Sequence, residues 1–184
     1  MIFKISRVEK LLCLCLKHCE FLEKEKIRKL YFELGDGKIY NSAKLNKVES
    51  IVAHALIICL GKNKVPIHWI KEYEIIEKKI TSYMNELGKV ADLLNKYKIS
   101  LIALKNSGIA IGMYPHFGAC PMGDIDVLVR KNKFREAHQI LINKGYEFKF
   151  RSELEENNID DAEDGGSAEY SVCLENGEHL WFEL

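Results

Sequence analysis

The chain lacks an excess of charge of either sign. Lys and Arg together number 27, Asp and Glu also number 27, and the formal net charge is 0. Bulk electrostatics therefore give no reason to expect nucleic acid as a partner, leaving only a local basic groove as a route to one. The chain also lacks any run of about 18 apolar residues, since Ile51–Leu60 is short and interrupted by His54. A membrane-spanning helix is excluded, and no membrane partner is expected. The apolar stretch Leu11–Leu16 follows Arg7, Glu9 and Lys10, precedes Lys17-His18, and carries no small-residue cleavage signal. It reads as a helix of a cytoplasmic protein rather than a signal peptide. Absent too is any Cys-x-x-Cys pair: Cys13, Cys15, Cys19, Cys59, Cys120 and Cys173 mostly sit among Leu and Ile, as small core hydrophobes do. Cys15, His18 and Cys19 could share a helix face as metal ligands, but no fourth ligand is visible.

What is present is a globular composition, 47% hydrophobic and 29% charged over 184 residues, enough to bury a core. The first hundred residues read as helical. Ser6 with Glu9 forms a capping box, followed at helical spacing by Val8, Leu11, Leu12, Cys15 and Cys19. Glu23–Leu34 continues helically until Gly35-Asp36-Gly37 stops it. Asn41 or Ser42 then caps a helix whose stripe, Leu45, Val48, Val52, Leu56 and Ile57, runs to Gly61. Pro66 opens a longer helical region from Ile67 to Leu94, with Gly88 as a dividing point. None of these residues is singled out for chemistry.

At Ile99 the pattern changes. Ile99–Leu104 suits a short buried strand, and Lys105-Asn106-Ser107-Gly108 is a turn that opens a helix through Met113 or Tyr114. Such a turn presents backbone N–H groups suited to a phosphate, though many turns of this kind bind nothing. Lys131–Asn143 is an amphipathic helix closed by Gly145, and Tyr146–Phe150 alternates as a strand. Ser152–Ser167, acidic and rich in Asn and Gly, reads as a long exposed loop. Its Asp160–Gly165 stretch fails as a calcium loop because Ala162 and Ser171 occupy ligand positions. Glu169–Leu174 and His179–Leu184 then form a hairpin around Asn176-Gly177.

Between these elements lies Pro121-Met122-Gly123-Asp124-Ile125-Asp126-Val127-Leu128-Val129-Arg130. On a strand Asp124 and Asp126 share one face, while Ile125, Val127 and Val129 point into a core. Carboxylates at i and i+2 lie about 7 Å apart and repel by roughly 2 to 3 kcal/mol at an effective dielectric of about 20. A divalent cation between carboxylates and phosphate oxygens relieves that repulsion, and such hardware serves phosphoryl or nucleotidyl transfer. Glu183, on the last strand with Trp181, is a third acid the pair would use. Taken singly, Asp-x-Asp also fits solvated strand residues, and Glu183 an edge glutamate facing water.

The ordered set is more specific than its parts. Leu104-Lys105-Asn106-Ser107, Met113-Tyr114-Pro115, Pro121 through Val129, and Asn143-Lys144-Gly145-Tyr146 after a helix resemble the uncharacterised nucleotidyltransferase family of the polymerase-β-like superfamily. The resemblance covers roughly Leu101–Leu184. It implies an α+β fold, with a helical segment over residues 1–98 and a nucleotidyltransferase-like mixed sheet with flanking helices over residues 99–184. It further implies that Asp124, Asp126 and Glu183 are catalytic and hold Mg²⁺, two ions in all, as metal ligands. Lys105, Asn106, Ser107 and Gly123 are implied to bind the nucleotide. The reaction implied moves a nucleoside monophosphate from a nucleoside triphosphate to an unidentified hydroxyl acceptor.

Two positions depart from the family pattern: Asn106 stands for a glycine and Cys120 for an arginine. They carry the alternative reading, a catalytically inactive nucleotidyltransferase-like binding or regulatory module. The chain stops at Leu184 in strand pattern, one residue past the third acid, where the resemblance implies further helices. The expectation is a C-terminally incomplete core, from a fragment or truncated gene, or an obligate homo-oligomer.

Overall fold

A computed structural model of the chain describes residues 5–152 and 158–184. The helices are α1 (Arg7–Cys15), α2 (Lys24–Leu34), α3 (Asp36–Leu45), α4 (Glu49–Leu60), α5 (Ile67–Lys96), α6 (Lys105–Ile109), α7 (Phe134–Asn143) and α8 (Ile159–Gly165). The strands are β1 (Ile102–Ala103), β2 (Ile125–Leu128), β3 (Glu147–Phe148), β4 (Glu169–Cys173) and β5 (His179–Glu183). This is the expected α+β fold with a helical N-terminus. The chain divides into two compact units, and the division falls inside α5.

The first unit holds the residues up to Ile80 together with Ile111–Pro121. The capping box forms as expected: Ser6 Oγ accepts from the Glu9 amide and the Glu9 carboxylate accepts from the Ser6 amide. Leu11, Ile27, Ile39, Val52, Leu56 and Trp69 are among the residues buried in its core. Asp36 anchors this core by accepting from Tyr31 Oη at 2.6 Å and Trp69 Nε1 at 2.7 Å.

Several helix boundaries differ from expectation. Gly35, at φ 82°, ends α2, but Asp36 and Gly37 begin α3 instead of prolonging the stop. Asn41 and Ser42 lie inside α3, and the break falls after Leu45, where Lys47 turns at φ 54°. Leu45 is consequently exposed and outside the stripe. Gly88 does not divide α5, which runs through 30 residues. Cys19 lies beyond α1, in the short 3₁₀ helix Cys19–Phe21.

The second unit holds Thr81–Ala110 and Met122–Leu184. Its sheet has the order β1-β2-β5-β4-β3. β2 runs parallel to β5, with Ile125 opposite Phe182 and Asp126 opposite Glu183; the other pairings are antiparallel. The Asn176-Gly177 turn joins β4 to β5 as the hairpin signal requires, with Gly177 at φ 80°. Side chains alternate across such strands. Ile125, Val127, Tyr170, Leu180 and Phe182 are buried. α7 meets this apolar face, where His138 Nδ1 lies 3.0 Å from Tyr170 Oη. Tyr146 closes edge-on over Phe182 at 5.7 Å and donates to Glu86 of α5 at 2.9 Å.

Here too the elements are shorter or different. The strand expected over Ile99–Leu104 is only Ile102–Ala103, extended by a bond from the Leu104 amide to the Asp126 carbonyl at 2.8 Å. α6 ends at Ile109 rather than at Met113 or Tyr114, and the strand expected over Tyr146–Phe150 is Glu147–Phe148. The loop expected over Ser152–Ser167 contains α8, capped by Asn158, whose side chain accepts from the Asp160 amide. Arg135 of α7 pairs with Asp160 and Glu163 and holds that helix in place. Residues 153–157 of that loop lie outside the described residues.

Candidate active site

The polar face of the sheet is built around the β2–β5 pair. Because the two strands are parallel and in register, Asp126 and Glu183 stand side by side. The antiparallel register of β4 and β5 places Glu169 opposite Glu183 and Ser171 opposite Trp181 on that same face. Asp124 lies one residue before β2.

Two cations answer these acids. Lys105 Nζ is 2.6 Å from Asp126 Oδ1 and 3.9 Å from Glu183 Oε2. The hydrogen bond to Asp126, then the charges of Asp126 and Glu183, raise the Lys105 pKa above its ordinary value. Arg151 Nη1 donates to Asp124 Oδ2 at 2.7 Å, and its amide donates to Glu169 Oε2 at 2.6 Å. The same guanidinium lies over the Trp181 ring, 5.3 Å from the centroid. Burial works against its charge, yet the bonds to Asp124 and Glu169 outweigh burial and its pKa is raised. Four carboxylates face two cations, so the cluster keeps negative charge to spend on a further cation.

The backbone fixes Asp126 as firmly as its side chain is held. Ser107 Oγ accepts from the Asp126 amide at 3.0 Å and lies 3.0 Å from the Asp126 carbonyl and 2.7 Å from the Leu104 carbonyl. This buried hydroxyl staples α6 onto β2. Gly108 permits the close approach: a Cβ there would lie 2.5 Å from the Ala103 carbonyl oxygen. Lys105 itself adopts φ 48°, a left-handed conformation that costs a non-glycine residue about 1–2 kcal/mol. Backbone strain of this kind collects where side-chain placement matters.

The structure therefore brings Lys105, Asp126 and Glu183 together and ties Asp124 to a separate cation beside them. The left-handed position of the turn is Lys105 and not Asn106, whose carbonyl accepts from the Ala110 amide. Gly123 is exposed, with open space where a Cβ would stand. Cys120 is fully buried, and burial pushes its thiol up to about 11, so it is a core residue carrying no charge. Among the described residues no three His, Cys, Asp or Glu side chains are already gathered as a metal cage. Sequence reasoning missed Arg151, Trp181 and Glu169. The hairpin register alone, counted back from Asn176-Gly177, would have placed Glu169 beside Glu183; nothing local marks Arg151.

The parallel β2–β5 pair carries Asp126 and Glu183 side by side, and the β1–turn–α6 segment delivers Lys105 to them. The chain belongs to the uncharacterised nucleotidyltransferase family, whose sequence profile matches residues 33–182. The match takes in α3, α4 and α5 as well as the sheet up to Phe182, and ends one residue before Glu183. No curated protein and no solved structure matches the chain. Among the described residues no helix is long and apolar enough to cross a membrane.

Proposed function

We propose that the core expected over residues 99–184 transfers a nucleoside monophosphate from a nucleoside triphosphate to a hydroxyl acceptor, with Mg²⁺ as cofactor. The observation that carries this reading is the Asp126–Glu183 pair in parallel register with Lys105 laid across it.

The donor set suits Mg²⁺. Asp124, Asp126 and Glu183 offer hard carboxylate oxygens, and Mg²⁺ commonly takes one or two carboxylates with substrate phosphates and water rather than a complete protein cage. When bound, the metal supplies charge neutralisation on the phosphates and on the attacking oxygen. Lys105 is the exposed part of the site: its side chain is 67% exposed, against 7% for Asp126. It turns from the carboxylates to the triphosphate as the substrate enters, exchanging one anion for another. Ser107 keeps Asp126 in place meanwhile. The acceptor oxygen attacks the α-phosphorus, forming a new O–P bond while the bond to the β-phosphate oxygen breaks and pyrophosphate leaves. Glu183 accepts the proton from the acceptor hydroxyl.

A second reading, nucleotide binding without turnover, rests on Asn106 and Cys120, which stand where the family pattern has a glycine and an arginine. Isothermal titration with each nucleoside triphosphate and Mg²⁺ tests what both readings share. Binding that is lost in the Asp124→Asn/Asp126→Asn double variant is expected. Absence of binding, or binding unchanged in that variant, contradicts both, and pyrophosphate release then separates turnover from binding alone.

A further inference from the structure

At the end of the β1–β2 pair away from the carboxylate cluster lies a polar pocket of about 180 Å³. The register of the pair, Ile102 opposite Leu128, brings the turn before β1 and the turn after β2 to the same end of the sheet. Asp126 and Arg130 are four residues apart, or about 13 Å along an extended strand. The pocket is lined by Lys98, Ile99, Ser100, Arg130, Asn132 and Lys133, with three cations, two neutral polar side chains and no carboxylate.

The charge pairing marks this pocket out. Arg7, Arg28, Arg135 and Arg151 each pair with a carboxylate. Arg130, the remaining arginine, has no carboxylate partner among the described residues. Of the lining cations only Lys133 has one, Glu136 at 2.6 Å. Lys98 sits at φ 58°, in a turn where its amide donates to the Asn95 carbonyl and the Ile99 amide to the Leu94 carbonyl. Glycine or asparagine takes that conformation with less strain, so a lysine there places a cation at the pocket at a conformational cost.

We propose that this pocket is a phosphate-binding site separate from the carboxylate cluster, recognising one or two phosphoryl groups. Arg130 supplies a planar fork for phosphate oxygens, Lys98 and Lys133 supply point charges, and Ser100 and Asn132 supply neutral donors. The volume of about 180 Å³ leaves room for a phosphate or a pyrophosphate. It falls below the 300 Å³ or more typical of pockets that enclose whole organic ligands. The phosphoryl group is therefore either free or carried on a molecule whose remainder stays outside.

Titration calorimetry of the full chain at low salt tests the site, with pyrophosphate, inorganic phosphate and ribose 5-phosphate as separate probes. The variants are Arg130→Gln and Lys98→Gly; glycine relaxes the left-handed turn and keeps the fold. Asp126→Asn reports on the carboxylate cluster, and Lys38→Gln/Lys47→Gln on general surface charge. The expected result is saturable binding of at least one probe, weakened about tenfold or more by Arg130→Gln and by Lys98→Gly and unchanged by Asp126→Asn and the Lys38/Lys47 pair. Stronger binding of pyrophosphate identifies a free ligand, and stronger binding of ribose 5-phosphate a carried phosphate; both support the site. Equal weakening in all variants, loss confined to Asp126→Asn, or no saturable binding of any probe overturns it. So does binding of a single-stranded oligoribonucleotide without any of the three probes. Because Asp126→Asn leaves this pocket intact, failure here is distinct from failure of the nucleotidyl-transfer reading.

Discussion

Asp126 and Glu183 stand opposite each other across the parallel β2–β5 register, and a single ammonium, Lys105 Nζ, lies 2.6 Å from one and 3.9 Å from the other. A lysine so placed offsets the repulsion between two like charges. Lys105→Met, which keeps the apolar stem, is expected to weaken nucleoside triphosphate binding by about tenfold or more in titration calorimetry. It is also expected to lower the urea midpoint. The sign of the pH dependence follows from the raised pKa. The ion pair is fully present below the ordinary lysine value of about 10.4 and is lost as pH climbs through the raised folded value. The midpoint difference between wild type and variant should therefore hold constant from neutral pH to about 9 and shrink above about 10.4.

Ser107 is tied to the backbone on both sides of the α6–β2 junction. The residue is 4% exposed, and its hydroxyl is engaged by Asp126 and Leu104 backbone groups. Ser107→Ala leaves the Asp126 amide without that acceptor and is expected to cost about 1–3 kcal/mol in denaturant unfolding. Triphosphate affinity should change less than threefold, on the order of 0.6 kcal/mol. A large loss of affinity with unchanged stability would place the hydroxyl on the ligand instead.

On the Mg²⁺ reading proposed above, Arg151 competes with the metal for Asp124. Arg151→Gln removes one positive charge beside Asp124 and Glu169. Titration with Mg²⁺ alone is expected to show about tenfold tighter binding in this variant than in wild type. Weaker binding would show that the guanidinium orders the carboxylates for the metal and does not displace it.

Much of this arrangement was legible in the sequence because strand alternation and the Asn176-Gly177 turn are local signals. They place Ile125 and Phe182 inward, Asp126 and Glu183 outward, and the β4–β5 hairpin in register. The parallel pairing of β2 with β5 could not be read from local pattern, since it depends on how residues some 57 positions apart meet; the family resemblance implied a mixed sheet and a third acid on a later strand, but not this register. α8 was hidden because Gly165-Gly166 and the acidic run suggested a loop. Its cap, Asn158, and its acidic first turn are ordinary helix-start signals, and the pairing with Arg135 is a tertiary contact that no local pattern records. Lys47, Lys98 and Lys105 turn left-handed without being Gly or Asn. The break after Leu45 and the strained lysine at the site were for that reason invisible to a search for glycine punctuation.

The central claim is transfer of the α-phosphoryl group with its nucleoside, dependent on Asp126. Its most direct test uses nucleoside triphosphates labelled on either the α- or the γ-phosphate, with Mg²⁺ and a panel of hydroxyl acceptors. The account predicts that pyrophosphate is released in step with incorporation of the α label, and that both fall on the order of a thousandfold in Asp126→Asn. Transfer of the γ label, or α-label incorporation that is equal in wild type and Asp126→Asn, contradicts it.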